Sequence, residues 1–143
     1  MKYLLDTNVL VAMFRGQYGI REAILRAGFS NCAVSEITLA ELMTGAYKGG
    51  YDRHAHEISF LRDHFEIIPI SQSLETYARL RADLETQGIS LDSFDLLIAA
   101  SAINGKMTLV THNTRHFSRI PGLKQVDWER ENPPANSLTQ GGL

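Results

Sequence analysis

Tyr3-Leu4-Leu5-Asp6-Thr7-Asn8-Val9-Leu10 opens the chain with a strand-length apolar run that stops at an acid. A short apolar run bounded by polar residues reads as a buried strand. An acid at the C-terminal end of such a strand sits where open α/β sheets bind ligands. Asp6 therefore reads as a carboxylate aimed at a cleft. The competing reading is that Asp6 or Thr7 only caps a helix starting near Asn8, because Asp and Thr accept from free backbone N–H groups there. One acid does not decide between the two. Two more acids in similar places carry the first reading.

Outward from this stretch, short apolar runs alternate with longer amphipathic ones, which predicts an α/β fold with a parallel sheet of about five strands flanked by helices. Strands are expected at Tyr3 to Leu5, Cys32 to Val34, Ile67 to Ile70, Met107 to Val110 and, on the weakest pattern, Lys124 to Asp127. Helices are expected near Val9 to Phe14, Ile20 to Ala27, Thr38 to Tyr47, His54 to Phe65, Leu74 to Thr86 and Ser93 to Asn104. Gly28, Gly88 and Gly105 fall where helices should stop. The 143 residues suit one domain. That domain is expected over residues 1–128. The tail of residues 129–143, with Asn132-Pro133-Pro134 and two late glycines, has little to bury and is expected to be flexible.

Composition narrows the function classes. Net charge is −2 and the pI is about 6.2, so no global basic signature of nucleic-acid binding is present. Convergence of several acids on one cation would leave the remaining surface more basic than this total suggests. Arg115, Arg119 and Lys124, with His112 and His116, form the densest cationic stretch. The lone Cys32 excludes an intramolecular disulfide and leaves no thiol partner for a zinc knuckle. Only Lys2 precedes the first apolar run, which is too short for a signal peptide or a membrane span, so a cytoplasmic protein is expected.

The second acid, Glu41, lies in Thr38-Leu39-Ala40-Glu41-Leu42 after the Cys32 to Val34 strand. Thr38 and Glu41 fit a capping box, in which the Glu folds back onto the cap's own N–H. Leu39, Ala40, Leu42 and Met43 instead suggest a partly buried helix, where a carboxylate calls for a cation or a proton. The third acid, Asp95, opens a helix that is apolar almost all round, Asp95-Leu96-Leu97-Ile98-Ala99-Ala100. Asp92 is assigned to its N-cap and Asp95 to chemistry. Three carboxylates converging on one pocket repel, by ~4 kcal/mol for a pair about 4 Å apart at an effective dielectric near 20. A divalent ion relieves that repulsion. Hard oxygen ligands without a cysteine pair point to Mg²⁺ or Mn²⁺, which can bind a phosphodiester, acidify a bound water and stabilise the leaving oxygen. Thr111 and Asn113, after the Met107 to Val110 strand, read either as partners of a ligating carboxylate or as a turn.

With Tyr3-Leu4-Leu5-Asp6-Thr7-Asn8, Ile37-Thr38-Leu39-Ala40-Glu41-Leu42, Asp95-Leu96-Leu97-Ile98-Ala99-Ala100 and Leu109-Val110-Thr111-His112-Asn113-Thr114-Arg115-His116-Phe117 in this order, the chain resembles the PIN-domain nucleases of the VapC toxin type. The resemblance runs from Met1 to about Trp128. It implies Mg²⁺- or Mn²⁺-dependent RNA cleavage, a homodimer, and a small antitoxin whose C-terminal segment occludes the site. By position, Asp6, Glu41 and Asp95 match the family's metal-binding acids. Asn113 stands where many members carry a fourth acid, and His116 stands where the branch often has an acid. Thr7 and Asn8 match residues that orient Asp6, with Thr7 placed to touch metal-bound water. Asp6, Glu41, Asp95, Asn113 and Thr7 are thus the expected catalytic set, with Asn8, Arg115 and Arg119 toward RNA. Two other readings remain open at this point: an RNA-processing PIN nuclease outside toxin–antitoxin biology, and a non-catalytic PIN-like binding module.

Overall fold

Five short apolar runs pair edge to edge in the computed structural model, which describes residues 2–135. They are β1 (Tyr3–Leu5), β2 (Cys32–Ser35), β3 (Glu66–Ile68), β4 (Thr108–Val110) and β5 (Gln125–Val126). All pairings are parallel and the order is β3-β2-β1-β4-β5. β1 is central, with Tyr3 opposite Cys32 on one side and Thr108 on the other. Strand side chains alternate between faces. Tyr3 and Leu5 accordingly enter one core with Leu10, Ile24 and Leu61, while Leu4 enters a second with Leu96, Ile98 and Leu109. A strand apolar on both faces must be covered on both, which is why helices flank the whole sheet.

The helices are α1 (Thr7–Arg15), α2 (Ile20–Ala27), α3 (Glu36–Gly49), α4 (Tyr51–His64), α5 (Leu74–Thr86), α6 (Ser93–Asn104) and α7 (Thr114–Phe117). α6 buries Leu96 and an unbroken run from Ile98 to Ala102, as expected of a helix apolar on all sides. α5 packs on α6 and buries Leu80 and Leu84, so its apolar stripe is spent on the core.

Several boundaries differ from expectation, among them the starts of α1 at Thr7 and of α4 at Tyr51. α3 starts at Glu36 rather than Thr38, because the Ser35 hydroxyl accepts from the Ile37 N–H at 3.1 Å and caps the helix. Thr38 is therefore inside the first turn, and the capping box proposed for Thr38 and Glu41 does not form. β3 stops at Ile68, since Pro69 has no N–H to continue the ladder and Ile70–Ser73 winds into a 3-10 turn. α7 was not anticipated; four residues are too few for an apolar period to register.

Packing runs to the end of the expected domain at Trp128. Trp128 is buried edge-on against Tyr3, with ring centroids 4.9 Å apart. Pro133 is buried and its carbonyl accepts from Arg26 Nε. The remainder of the expected flexible tail lies outside the described residues. No helix among the described residues is long and apolar enough to cross a membrane.

The strand order places the functional crevice. From β1 the chain crosses to β2 on one side, and β4 later docks on the other, so the connections leaving β1 and β4 diverge. This is a topological switch point, where α/β sheets open a crevice at the strand C-termini. Asp6 follows β1 there and Thr111 follows β4, and the Asp6 N–H donates to the Val110 carbonyl at 3.0 Å.

Candidate active site

Both readings of Asp6 hold at once. It is the N-cap of α1, with Oδ1 accepting from the Thr7 N–H at 2.9 Å. Its Oδ2 accepts from the Thr111 hydroxyl, also at 2.9 Å. With only 8% of its surface exposed, Asp6 is a buried carboxylate held by two donors. Thr111 is fully buried, and its oxygen in turn accepts from the Asn113 N–H at 3.0 Å.

Thr7 links Asp6 to Glu41. Its hydroxyl donates to Glu41 Oε1 at 2.8 Å and lies 3.2 Å from the buried Thr38 hydroxyl. A carboxylate only accepts, so the single Thr7 hydroxyl hydrogen belongs to Glu41. Glu41 sits nearly two turns past the Ser35 cap of α3, half-buried beside Leu42 and Met43, while Ala40 is exposed. Asp95 lies in the first turn of α6, where Asp92 caps by accepting from the N–H groups of Phe94 and Asp95 at 3.0 and 3.3 Å. The Asp95 Oδ2 stands 3.1 Å from His116 Nε2, a contact between α6 and α7.

Burial raises all three carboxyl groups above their ordinary range. For Asp6 burial acts most strongly, opposed by the Thr111 hydroxyl and the Thr7 N–H, and the Asp95 charge pushes it further up. Glu41 is raised by burial, pulled back by the Thr7 hydroxyl, and raised again by the charges of Asp6, Asp95 and Asp92. Asp95 is raised by burial, with the facing His116 opposing and Asp92 adding. Asp6 and Glu41 thus stand in the field of Asp95, and Glu41 also in that of Asp6.

They do not close into a tight cage. Among the described residues, the one group of three ligand-type side chains whose atoms all lie within 4.8 Å of each other is His112, Asp127 and Glu129. The expected convergence is therefore looser than anticipated: like charges repel, and Asp95 already engages His116. His112 and His116, four residues apart, serve different partners. His112 Nδ1 is 2.9 Å from Asp127 Oδ2 and also contacts Glu129.

Two clefts meet at this crevice. One, of about 560 Å³, is lined by Asp6, Asn8, Thr111 and Asn113 among others. The other, of about 1030 Å³, touches the site at Thr7 and Glu41 and runs between apolar walls that include Phe14, Leu42, Ile58 and Phe60. Arg115 and Arg119 are exposed and line neither cleft. Arg119 Nη2 donates to the Ser90 carbonyl at 3.3 Å, bracing the loop before α6. The contacts of Thr38 with Thr7 and of His116 with Asp95 were not read from the sequence. Neither has a local signal, since the partners are 31 and 21 positions apart.

An acid-lined crevice at the switch point of a parallel β3-β2-β1-β4-β5 sheet is the arrangement of a PIN domain. The PIN domain family profile matches residues 3–123, and the chain belongs to this family in its VapC-type branch. It is 35% identical over 136 residues to "Ribonuclease VapC2" of Rickettsia felis, covering 91% of this chain and 100% of that protein. Identity to the "tRNA(fMet)-specific endonuclease VapC" of Shigella flexneri is 28% over 130 residues, covering 90% and 98%. Among solved structures, VapBC2 from Rickettsia felis bound to a DNA fragment from its promoter superposes with a TM-score of 0.81 at 33% identity, covering 90% of this chain and 99% of that one. DNA-bound VapBC from Salmonella typhimurium matches with the same TM-score, 0.81, at 31% identity, covering 90% and 98%.

Proposed function

We propose that this protein is the endoribonuclease toxin of a type II toxin–antitoxin pair, hydrolysing RNA phosphodiesters with Mg²⁺, or Mn²⁺ in its place. The observation that carries this reading is the hydrogen-bonded relay Thr111–Asp6–Thr7–Glu41, set at the switch point with Asp95 in its field. The donor chemistry fits a divalent cation: three carboxylates, all raised by burial and two of them, Asp6 and Glu41, also by others of the three, are stabilised by any charge that neutralises them. Asp6, Glu41 and Asp95 would hold the ion, which when bound acidifies water and neutralises charge developing on phosphate oxygens.

The chain's own residues set the geometry. Thr7 fixes Asp6 through its N–H and Glu41 through its hydroxyl, so one residue holds two acids in register. Thr111 fixes the second Asp6 oxygen. Asn8 and Asn113 offer amides to RNA from the wall of the smaller cleft, and Arg115 offers a cation to a phosphate beyond it.

The solved relatives are VapBC assemblies. By analogy a small antitoxin is the partner here, and the larger apolar cleft opening onto Thr7 and Glu41 suits a segment that blocks the site. A homodimer in the cytoplasm completes the reading. The test is RNA cleavage with Mg²⁺ or Mn²⁺ by Asp6→Asn and Asp95→Asn. Loss in both is expected, and undiminished cleavage by both overturns the assignment.

A further inference from the structure

We infer that the smaller cleft is a single-stranded RNA subsite in which Tyr18 stacks on a base flanking the scissile phosphate and Arg15 takes a neighbouring phosphate. This rests on the ribonuclease reading and extends it from the acids to the path of the strand.

The first observation is the backbone at Tyr18. The loop between α1 and α2 runs Gly16-Gln17-Tyr18-Gly19, with φ of 66° at Gly16, 59° at Tyr18 and 68° at Gly19. Glycine adopts that region freely, whereas a side chain with a Cβ is strained there, and bulky ones most of all. A tyrosine at a position suited to glycine points to a use for its ring. That ring is not packed into the protein, since Tyr18 is 65% exposed.

The second observation is where the loop lies. Tyr18 and Arg15 share the walls of the smaller cleft with Asp6, Asn8, Thr111 and Asn113, so the cleft is continuous with the acid crevice. The loop is braced: the Gly16 N–H donates to the Met13 carbonyl at 3.1 Å, Gln17 to Ala12 at 2.9 Å, and Ile20 to Gln17 at 3.3 Å. The ring is thus presented by a fixed backbone.

The third observation is chemical fit. Among the described residues, no carboxylate pairs with the exposed Arg15 at the end of α1. Glu129, a second acid on this cleft, already faces His112. An aromatic face, a free guanidinium and two amides make the combination that holds single-stranded nucleic acid: stacking on the base and charge on the backbone.

The test measures binding of a short single-stranded oligoadenylate carrying 2-aminopurine, and of total tRNA, alongside cleavage with Mg²⁺. Tyr18→Gly removes the ring and the backbone strain together. It is expected to lose about 5- to 150-fold in affinity while melting at or above the wild-type temperature, a pairing that a structural role for Tyr18 cannot produce. Tyr18→Trp is expected to retain affinity and the 2-aminopurine quench. Arg15→Gln is expected to lower the salt slope of binding by about one. If the wild type binds RNA and Tyr18→Gly binds equally well, this inference falls while the ribonuclease reading stands. If the wild type neither binds nor cuts either RNA, both fall.

Discussion

Thr111→Val tests whether the buried hydroxyl between Asp6 and Asn113 organises the site. The substitution conserves shape and removes only the hydroxyl, so no cavity contributes. Two hydrogen bonds go: the donor to Asp6 Oδ2 at 2.9 Å and the acceptor for the Asn113 N–H at 3.0 Å. A hydrogen bond to a buried charged group is worth about 1.5 to 3 kcal/mol, and the amide bond about 0.5 to 1 kcal/mol because exposed Asn113 can rehydrate. The expected loss is roughly 2 to 4 kcal/mol, or roughly 6 to 15 °C in melting temperature for a chain of this size. The sign of its pH dependence is fixed as well. The Thr111 bond lowers the Asp6 pKa against the burial that raises it. Its contribution is therefore full where folded Asp6 is ionised, above that group's raised pKa, and fades as pH falls through it and Asp6 is protonated. Thermal denaturation of the metal-free protein near neutral pH and again near about pH 4 reads both effects, with Thr111→Ser as the hydroxyl-retaining control. A neutral-pH change under about 0.5 kcal/mol, or one equally large in acid, would refute the role given to this hydroxyl.

Asp6→Asn should abolish RNA cleavage yet leave the metal-free protein at least as stable as wild type near neutral pH, because Asn keeps the α1 cap without a buried charge; circular-dichroism melts with chelator check this, and a marked drop in melting temperature contradicts it. Because Asp6, Glu41 and Asp95 all have raised folded-state pKa values, the folded state holds more protons than the unfolded one just above the ordinary carboxylate range. Their joint contribution to stability should therefore decline as pH rises through that window, and Asp6→Asn should flatten the decline in metal-free melts; a parallel profile counts against the shared field. Thr7→Val should release Glu41 and weaken Mn²⁺ binding by about 10- to 100-fold, measured by calorimetry, with unchanged affinity as the contrary result. Trp128→Ala should cost about 3 to 5 kcal/mol in urea unfolding, since the ring is 3% exposed and packs on Tyr3 of the central strand; a loss under about 1 kcal/mol would place it outside the core.

Element types were legible in the residues because apolar spacing is local. Tyr3 to Leu5 must be a strand buried on both faces, and Ser93 to Asn104 a helix apolar all round, wherever the rest of the chain goes. The positions of Asp6, Glu41 and Asp95 at element starts are equally local, as is the fit of Asp92 to a cap. What lay beyond reach were contacts between distant segments. Thr38 and Glu41 fit a capping box locally, but Ser35 caps the helix three residues earlier, which frees Glu41 to meet Thr7 at the end of β1. His116 carries no spacing that points to Asp95; α7 reaches α6 only because β4 docks beside β1. The strain at Tyr18 is likewise silent in its sequence, where a tyrosine between two turn residues looks ordinary. Composition and periodicity therefore determined which segments are buried and where each acid begins an element. The order of strands in the sheet decided which of those acids share a field, because side-chain electrostatics and hydrogen bonds act over a few ångströms in space regardless of separation along the chain.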